Sequence, residues 1–332
     1  MVTLNEIFEQ SEKLNLVGKN YYEISKKIYD YILRKKPGQI NFQGCGTSYY
    51  LAMAISLHMN RIAERHISNY YSGSEVMFGL VELPPDSLLV GLSRSGESSE
   101  TVGALEAAAK KGVATASITC EPGSSMTKKS DVSAEMNFIN EKSIVMTKSF
   151  TSMGFLTSCL MRQLFEEEKL NDYIEEITKC SANILDKTKR VLSEIDFGKY
   201  DHFVFLGYEE YFATGMEGVI KATETSLSDV DCYQTLEYRH GPKSKVNEKS
   251  LITVIPNEKT LEEELKVMNE MRKLGGTVLA VYKEKIENFP TIVTGYKGDD
   301  FGDWFLRVIP LQMIGVKRAV ERGLNPDQPT NL

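Results

Sequence analysis

Along this 332-residue chain, apolar runs of about five residues alternate with longer stretches in which apolar side chains recur every three or four positions. The first pattern belongs to buried strands and the second to helices. Their alternation predicts an α/β fold, a doubly wound parallel sheet with helices on both faces. "QINFQGCG" (Gln39 to Gly46) reads as a strand entering a turn, and "SYYLAMAISLHMNRIA" (Ser48 to Ala63) as the helix after it. The scheme repeats with a strand over Leu88 to Leu92 and a helix over Ser98 to Lys111. Gly112 then supplies the left-handed stop that turns the chain into a strand over Val113 to Thr119.

A second series begins near Tyr200 at one constant offset. "INFQG" ending at Gly44 answers to "FVFLG" ending at Gly207, and "SLLVGL" from Ser87 to "SLITVI" from Ser250. "KKGVATASI" with Gly112 answers to "KLGGTVLAV" with Gly275, so all three pairs lie 163 positions apart (207 − 44, 250 − 87, 275 − 112). Equal offsets between like elements predict two copies of one α/β unit, the other reading being coincidence among common strand patterns. Between them, Ile174, Ile177, Ile184, Leu185, Val191 and Leu192 are spaced as on an amphipathic connecting helix or helix pair. The organisation expected is an N-terminal helix over 1–20, a first domain over 21–168, connecting helices over 169–195, a second domain over 196–324 and a tail over 325–332.

Composition narrows the class. Hydrophobic residues make up 42% and charged residues 26%, the balance of a globular protein. The longest apolar stretch, Ser149 to Phe165, is too short for a bilayer and contains Arg162, so a buried helix is expected there and no membrane partner. Glu6, Glu9 and Glu12 occupy the positions where a secretory leader needs a cationic start and an apolar centre, which places the chain in the cytoplasm. Cys45, Cys120, Cys159, Cys180 and Cys232 lie far apart, arguing against a disulfide framework or a zinc site. No metal and no cofactor is expected. A net charge of −7 with scattered basic residues offers no footprint for nucleic acid, so any bound phosphate is small and met locally.

The candidate chemistry starts in "LSRSGESSET" (Leu92 to Thr101), between a strand and a helix. A strand handing over to a helix through a short polar loop aims free N–H groups above the sheet edge, which is an anion site. Ser93, Ser95 and Ser98 are spaced to surround one tetrahedral anion, with Gly96 allowing close backbone approach. The lysine of a nucleoside triphosphate loop is missing, and Ser95 stands where a nucleophile elbow needs its second glycine. A dinucleotide fingerprint at "GCGTSY" is spoiled by Tyr49. Either a lone phosphomonoester binds here or the serines merely cap the helix. The second copy bears on the choice, since Ser93, Ser95 and Ser98 answer to Pro256, Glu258 and Leu261 there.

In "YFATGMEGVIKATETSL" (Tyr211 to Leu227), Phe212, Met216, Val219, Ile220, Thr223 and Leu227 form one stripe and Glu217, Lys221 and Glu224 the neighbouring one. The second stripe reads as a solvated salt-bridge face. Its functional reading is a carboxylate held near a lysine, partly buried so that its pKa rises toward neutrality and it can move a proton between adjacent sugar carbons. His58, His66 and His202 read as structural, whereas His240 lies in a polar loop that Gly241 and Pro242 force to turn outward.

Six motifs occur in order: "CGTS" (Cys45 to Ser48), "LSRSGES" (Leu92 to Ser98), "MTKSF" (Met146 to Phe150), "MEGVIKATE" (Met216 to Glu224), "RHGP" (Arg239 to Pro242) and "NPDQPTNL" (Asn325 to Leu332). Together they resemble the sugar isomerase (SIS) double-domain family, in particular the isomerase half of glucosamine-6-phosphate synthase and its deaminase relatives. The resemblance implies two tandem SIS domains, each a flavodoxin-like three-layer αβα unit. It implies that Ser93, Ser95 and Ser98, with Ser48 and the Arg94 backbone, hold a sugar phosphate. Cys45, Gly46 and Thr47 would line the sugar, with Met146 and Thr147 in the same binding set. Glu224 would shuttle a proton between C1 and C2, supported by Glu217 and Lys221. His240, reaching in from a neighbouring subunit, would assist ring opening in a homodimer.

Leu236 and Glu237 stand where the family has Gly-Glu. The family's synthases continue past the position of Leu332 with an imine-forming lysine and carry an N-terminal glutaminase domain. Without these, the expectation is deamination of glucosamine 6-phosphate to fructose 6-phosphate and ammonia. A fructosamine-phosphate deglycase, an aldose-ketose phosphosugar isomerase and a non-catalytic phosphosugar-binding regulator are the alternatives. Retention of Glu224, Lys221 and His240 favours an enzyme.

Overall fold

A computed structural model describes residues 1–332. Numbered in chain order, the first elements are α1 (Val2–Lys35), β1 (Gln39–Gly44), α2 (Thr47–Ile62), β2 (Tyr70–Ser72), α3 (Gly73–Met77), β3 (Ser87–Ser93), α4 (Ser99–Lys110), β4 (Ala114–Thr119), α5 (Ser125–Lys129), β5 (Val132–Glu135), α6 (Lys148–Phe165) and α7 (Leu170–Ser193). There follow β6 (His202–Gly207), α8 (Glu209–Ser226), β7 (Asp229–Tyr233), β8 (Ser250–Ile255), α9 (Leu261–Lys273), β9 (Thr277–Tyr282), β10 (Thr291–Val293) and α10 (Val308–Glu321).

The chain divides into two compact units. The first comprises Glu12–Glu141 and Lys148–Glu175, the second Met1–Ser11, Lys142–Thr147 and Glu176–Leu332. Each holds one five-stranded sheet, ordered β2-β1-β3-β4-β5 in the first and β7-β6-β8-β9-β10 in the second. Every strand pairing is parallel. The two orders are the same topology read from corresponding strands. β1 and β6, β3 and β8, and β4 and β9 begin 163 positions apart (202 − 39, 250 − 87, 277 − 114), so the spacing seen in the sequence marks a real structural repeat.

Hydrophobicity explains which strands are central. β3 and β8 are buried at every position, as strands covered on both faces must be. In the first unit Leu89, Ala104, Leu105, Ala108 and Met126 close one side of the sheet. In the second, Val204, Ile252, Val254, Val267 and Met271 do the same.

α1 is longer than the 1–20 stretch expected for it, running to Lys35 straight through Gly18. A side chain at Gly18 would meet Ile174 Cγ2 at 2.9 Å, so glycine is kept for close helix packing. α6 is the buried apolar helix foreseen, and its Arg162 lies 4.2 Å from the Tyr173 ring centre with Glu166 as ion-pair partner. No helix is long and apolar enough to cross a membrane.

Two outcomes follow for stability. A Cβ at Gly44 would sit 2.6 Å from the Ser48 backbone, so Gly44→Ala forces α2 off β1 and should cost about 1–3 kcal/mol, read as a lowered urea midpoint; an unchanged midpoint contradicts that packing. Asp131 accepts from Tyr31 Oη at 2.8 Å and Thr115 N at 2.9 Å. Burial pushes its carboxyl up, but hydrogen bonds from Thr115 and Tyr31 outweigh this and hold it below the usual carboxylate range. A depressed folded pKa contributes stability at neutral pH that is lost as pH falls through it, so Asp131→Asn should flatten the acid limb of the stability profile.

Candidate functional site

In the first sheet, β1 and β3 lie side by side while their connections depart in opposite directions, β1 to β2 and β3 to β4. That reversal opens a crevice at the carboxyl ends of the two strands, where open α/β sheets bind ligands. Cys45, Gly46, Thr47 and Ser48 stand at the end of β1, and Ser93, Arg94, Ser95 and Ser98 at the end of β3.

Both helices that start there lack a side-chain cap. α2 begins behind Gly46, whose φ of +55° suits glycine and whose missing Cβ would point into open space. α4 begins behind Ser98, whose hydroxyl makes no capping bond and lies instead 3.3 Å from Ser93 Oγ. Helix capping therefore does not account for the serines. Ser93 Oγ accepts from Gly96 N at 3.0 Å and Ser95 Oγ from Glu97 N at 3.3 Å, which curls the loop around its own hydroxyls. Neighbouring bonds make the loop rigid: the Arg94 carbonyl accepts from Cys120 N at 3.1 Å and Thr119 Oγ1 at 3.0 Å, and the Gly96 carbonyl from Met126 N at 2.9 Å. Glu97 turns away to Ser125 N at 2.8 Å, removing its charge from the serines. The same unit ties the two loops together, since Cys45 Sγ lies 3.5 Å from Thr101 Oγ1 on α4.

One residue escaped the sequence reading. Glu141 has a fully buried side chain that accepts from Ser149 N at 3.2 Å and from Ser149 Oγ, and its other neighbour is Arg94 Nη1 at 3.5 Å. It pairs with the Arg94 guanidinium in the segment that follows β3. Nothing in the local pattern "INEKSI" singles it out.

In the second unit the acidic helix differs from its sequence reading. The expected solvated face is the buried one: Glu217 and Lys221 are enclosed, while Phe212, Met216, Val219 and Ile220 are half-buried and Thr223 and Leu227 exposed. Lys221 Nζ stands 3.5 Å from Glu217 Oε1 and 2.8 Å from Glu224 Oε2. Glu224 keeps 25% of its side chain exposed, against 0% for Glu217 and 2% for Lys221. A lysine fixed between two carboxylates thus aims the accessible one.

His240 lies in an exposed turn behind a short 3₁₀ segment (Glu237–Arg239), and no hydrogen bond or ion pair joins it to Glu224. Met146 is half-buried and Thr147 enclosed; the Thr147 carbonyl accepts from Gln312 Nε2 at 3.4 Å, and Gln10 Nε2 donates to Gln312 Oε1 at 2.8 Å. Of the other histidines, His58 is buried in α2 and His202 is bonded to Asp231 at 2.9 Å, both structural.

The second sheet repeats the strand reversal but fills the crevice itself. Glu258 N, at the position answering to Ser95, donates to Asp300 Oδ2 at 2.7 Å. The Arg307 guanidinium is buried 3.9 Å from the Tyr211 ring centre, donating to the Pro256 carbonyl at 2.8 Å and to Asp303 at 2.9 Å. The chain's own carboxylate takes the amide that an anion would use.

An α/β protein with uncapped helix starts and a ring of hydroxyls at one topological switch point has the form of a phosphorylated-ligand binder. The SIS domain model matches residues 32–162. A crystal structure of glucosamine-6-phosphate deaminase from Thermotoga maritima is 30% identical, covers 100% of this chain and 98% of its own, and superposes with a TM-score of 0.83. Glutamine–fructose-6-phosphate aminotransferase of Francisella tularensis is 27% identical over 99% of this chain and 57% of its own length; the Shewanella oneidensis enzyme of that name is 31% identical over 87% and 50%. This chain spans about half the length of these curated relatives. It belongs to the SIS family of phosphosugar isomerases.

Replacing Ser93 and Ser95 with Ala should weaken binding of phosphorylated sugars, each lost bond to the anion costing about 1.5–3 kcal/mol, while any binding of the unphosphorylated sugars is unaffected. Calorimetry with matched pairs of sugars checks this, and an equal loss for both members of a pair removes the loop as the anchor.

Proposed function

We propose that this chain is an isomerising deaminase of glucosamine 6-phosphate, producing fructose 6-phosphate and ammonia. The observation that carries the reading is the arrangement of Glu224: a partly exposed carboxylate oriented by a lysine that is itself pinned by the buried Glu217. The 30% identity to a deaminase along 98% of that protein's length supports the choice of substrate.

In this reading the phosphate rests on the hydroxyls and amides of Ser93, Ser95 and Ser98 with Ser48, and the sugar lies along Cys45, Gly46 and Thr47, with Met146 and Thr147 completing the set. His240, contributed by a second subunit of a homodimer, assists ring opening to the free aldehyde. Glu224 removes the proton from C2, and the electron pair forms the C1–C2 double bond of an enolamine as the aldehyde oxygen takes a proton. Return of the proton to C1 leaves an imine at C2. Water adds to it and ammonia departs, so substrate and one water become fructose 6-phosphate and ammonia. Lys221 holds Glu224 in place by its short ion pair. Deglycation of a fructosamine phosphate and aldose-ketose exchange use the same shuttle, and the repeat within the chain is read as two tandem SIS domains in a cytoplasmic enzyme.

The test is incubation of purified protein with glucosamine 6-phosphate, following ammonia and fructose 6-phosphate together. Wild type should release both in equal amounts. Glu224→Gln should lower kcat by at least 10³-fold, on the order of the 10²–10⁴ that general acid–base groups supply, with substrate affinity kept because the amide still accepts hydrogen bonds but takes no proton from carbon. Turnover unchanged in Glu224→Gln removes that residue from the mechanism, and binding without product in the wild type points to a phosphosugar-sensing role.

A further inference from the structure

The first unit contains a cavity of about 380 Å³ at the opposite end of its strands from the serine loop. It opens beside Gln39 and Ile40 at the start of β1, whereas the serine loop and the Cys45–Gly46 turn lie beyond the strand's other end. Six residues at ~3.3 Å each separate them by about 20 Å, so this cavity is not part of the phosphosugar site.

Its floor is apolar, made by Ile32, Leu33, Ile67, Leu164 and Phe165. Leu33 keeps 50% of its surface exposed. Two cations, Lys36 and Arg65, stand on its wall. Neither has a carboxylate partner, although elsewhere in this unit Lys129 and Arg162 are paired with Glu106 and Glu166. Asp86 packs against Gly38 and does not line the cavity. Lys36 is held in place by its backbone: it ends α1 in the left-handed conformation at φ +49°, its N–H donates to the Ile32 carbonyl at 2.8 Å, and Pro37 follows.

The volume falls in the range of small-molecule sites. The helices α1, α2 and α6 all end here, where Lys36 and Arg65 also offset their carbonyl ends, and a bare anion such as phosphate would leave the apolar floor uncovered. An apolar floor with two unpaired cations suits a different ligand. We propose that this cavity is a second binding site, for a singly charged carboxylate on an apolar body, with the hydrocarbon on Leu33, Leu164 and Phe165 and the carboxylate between Lys36 and Arg65.

The test uses 4-phenylbutyrate as probe, 4-phenylbutanol as its uncharged counterpart and inorganic phosphate as the bare anion, each titrated calorimetrically into the full chain. The acid should bind once per chain and at least tenfold more tightly than the alcohol, and excess phosphate should leave that binding unchanged. Lys36→Ala combined with Arg65→Ala, both exposed and outside the candidate active site, should weaken the acid at least tenfold at an unchanged Tm. Leu33→Ser should weaken acid and alcohol alike. Absence of saturable binding, equal affinity for acid and alcohol, competition by phosphate, or an unchanged affinity in the double variant each overturns the proposal; the last would assign the two cations to the helix ends they follow.

Discussion

The organisation of this protein depends on the reversal of chain direction between β1 and β3. In a parallel sheet ordered 2-1-3-4-5, two central strands end side by side and send their helices to opposite sides, so no crossover covers the gap above them. The N–H groups of two helix starts face that gap, and the structure supplies no side-chain cap for either. Leaving such donors without a protein partner is costly unless solvent or a ligand meets them. The serines, Gly46 and Gly96 are the local means by which the chain keeps the gap open and polar.

The repeat supplies an internal comparison. The same reversal occurs between β6 and β8, yet there Asp300 accepts from the loop amide and Arg307 is buried beneath it. One copy keeps its donors available and the other satisfies them from within. The second copy instead carries the Glu217–Lys221–Glu224 row, in which two enclosed charges orient a third that remains accessible. Burying a lysine is tolerable only with carboxylates in contact, so the geometry of the row is over-determined.

Much of the fold was legible in the sequence because buried parallel strands are continuous apolar runs, and the 163-residue spacing survives in strand boundaries to the residue. The serine loop was legible too, since a strand, a polar loop and a helix in succession dictate where the amides point. The orientation of α8 was not. Periodicity assigns the more apolar stripe to the interior, whereas here Glu217 and Lys221 are interior and Phe212 and Met216 only half-buried, because paired charges and small residues such as Gly215 and Gly218 pack closer than the apolar stripe would. Gly218, for example, leaves no room for a side chain beside Leu311, which lies 2.7 Å from where its Cβ would be. Glu141 and Asp300 were invisible for another reason: each acts on a residue more than forty positions away, and no local pattern records such a partner.

The central claim joins an anion anchor to a proton-moving carboxylate, and proton NMR in D₂O reads both at once. With glucosamine 6-phosphate and the intact protein, the account predicts that the C2 proton signal disappears as product forms, while glucosamine lacking the phosphate keeps its C2 proton under the same conditions. A C2 proton that stays in place on the phosphorylated sugar, or leaves both sugars at the same rate, would contradict it.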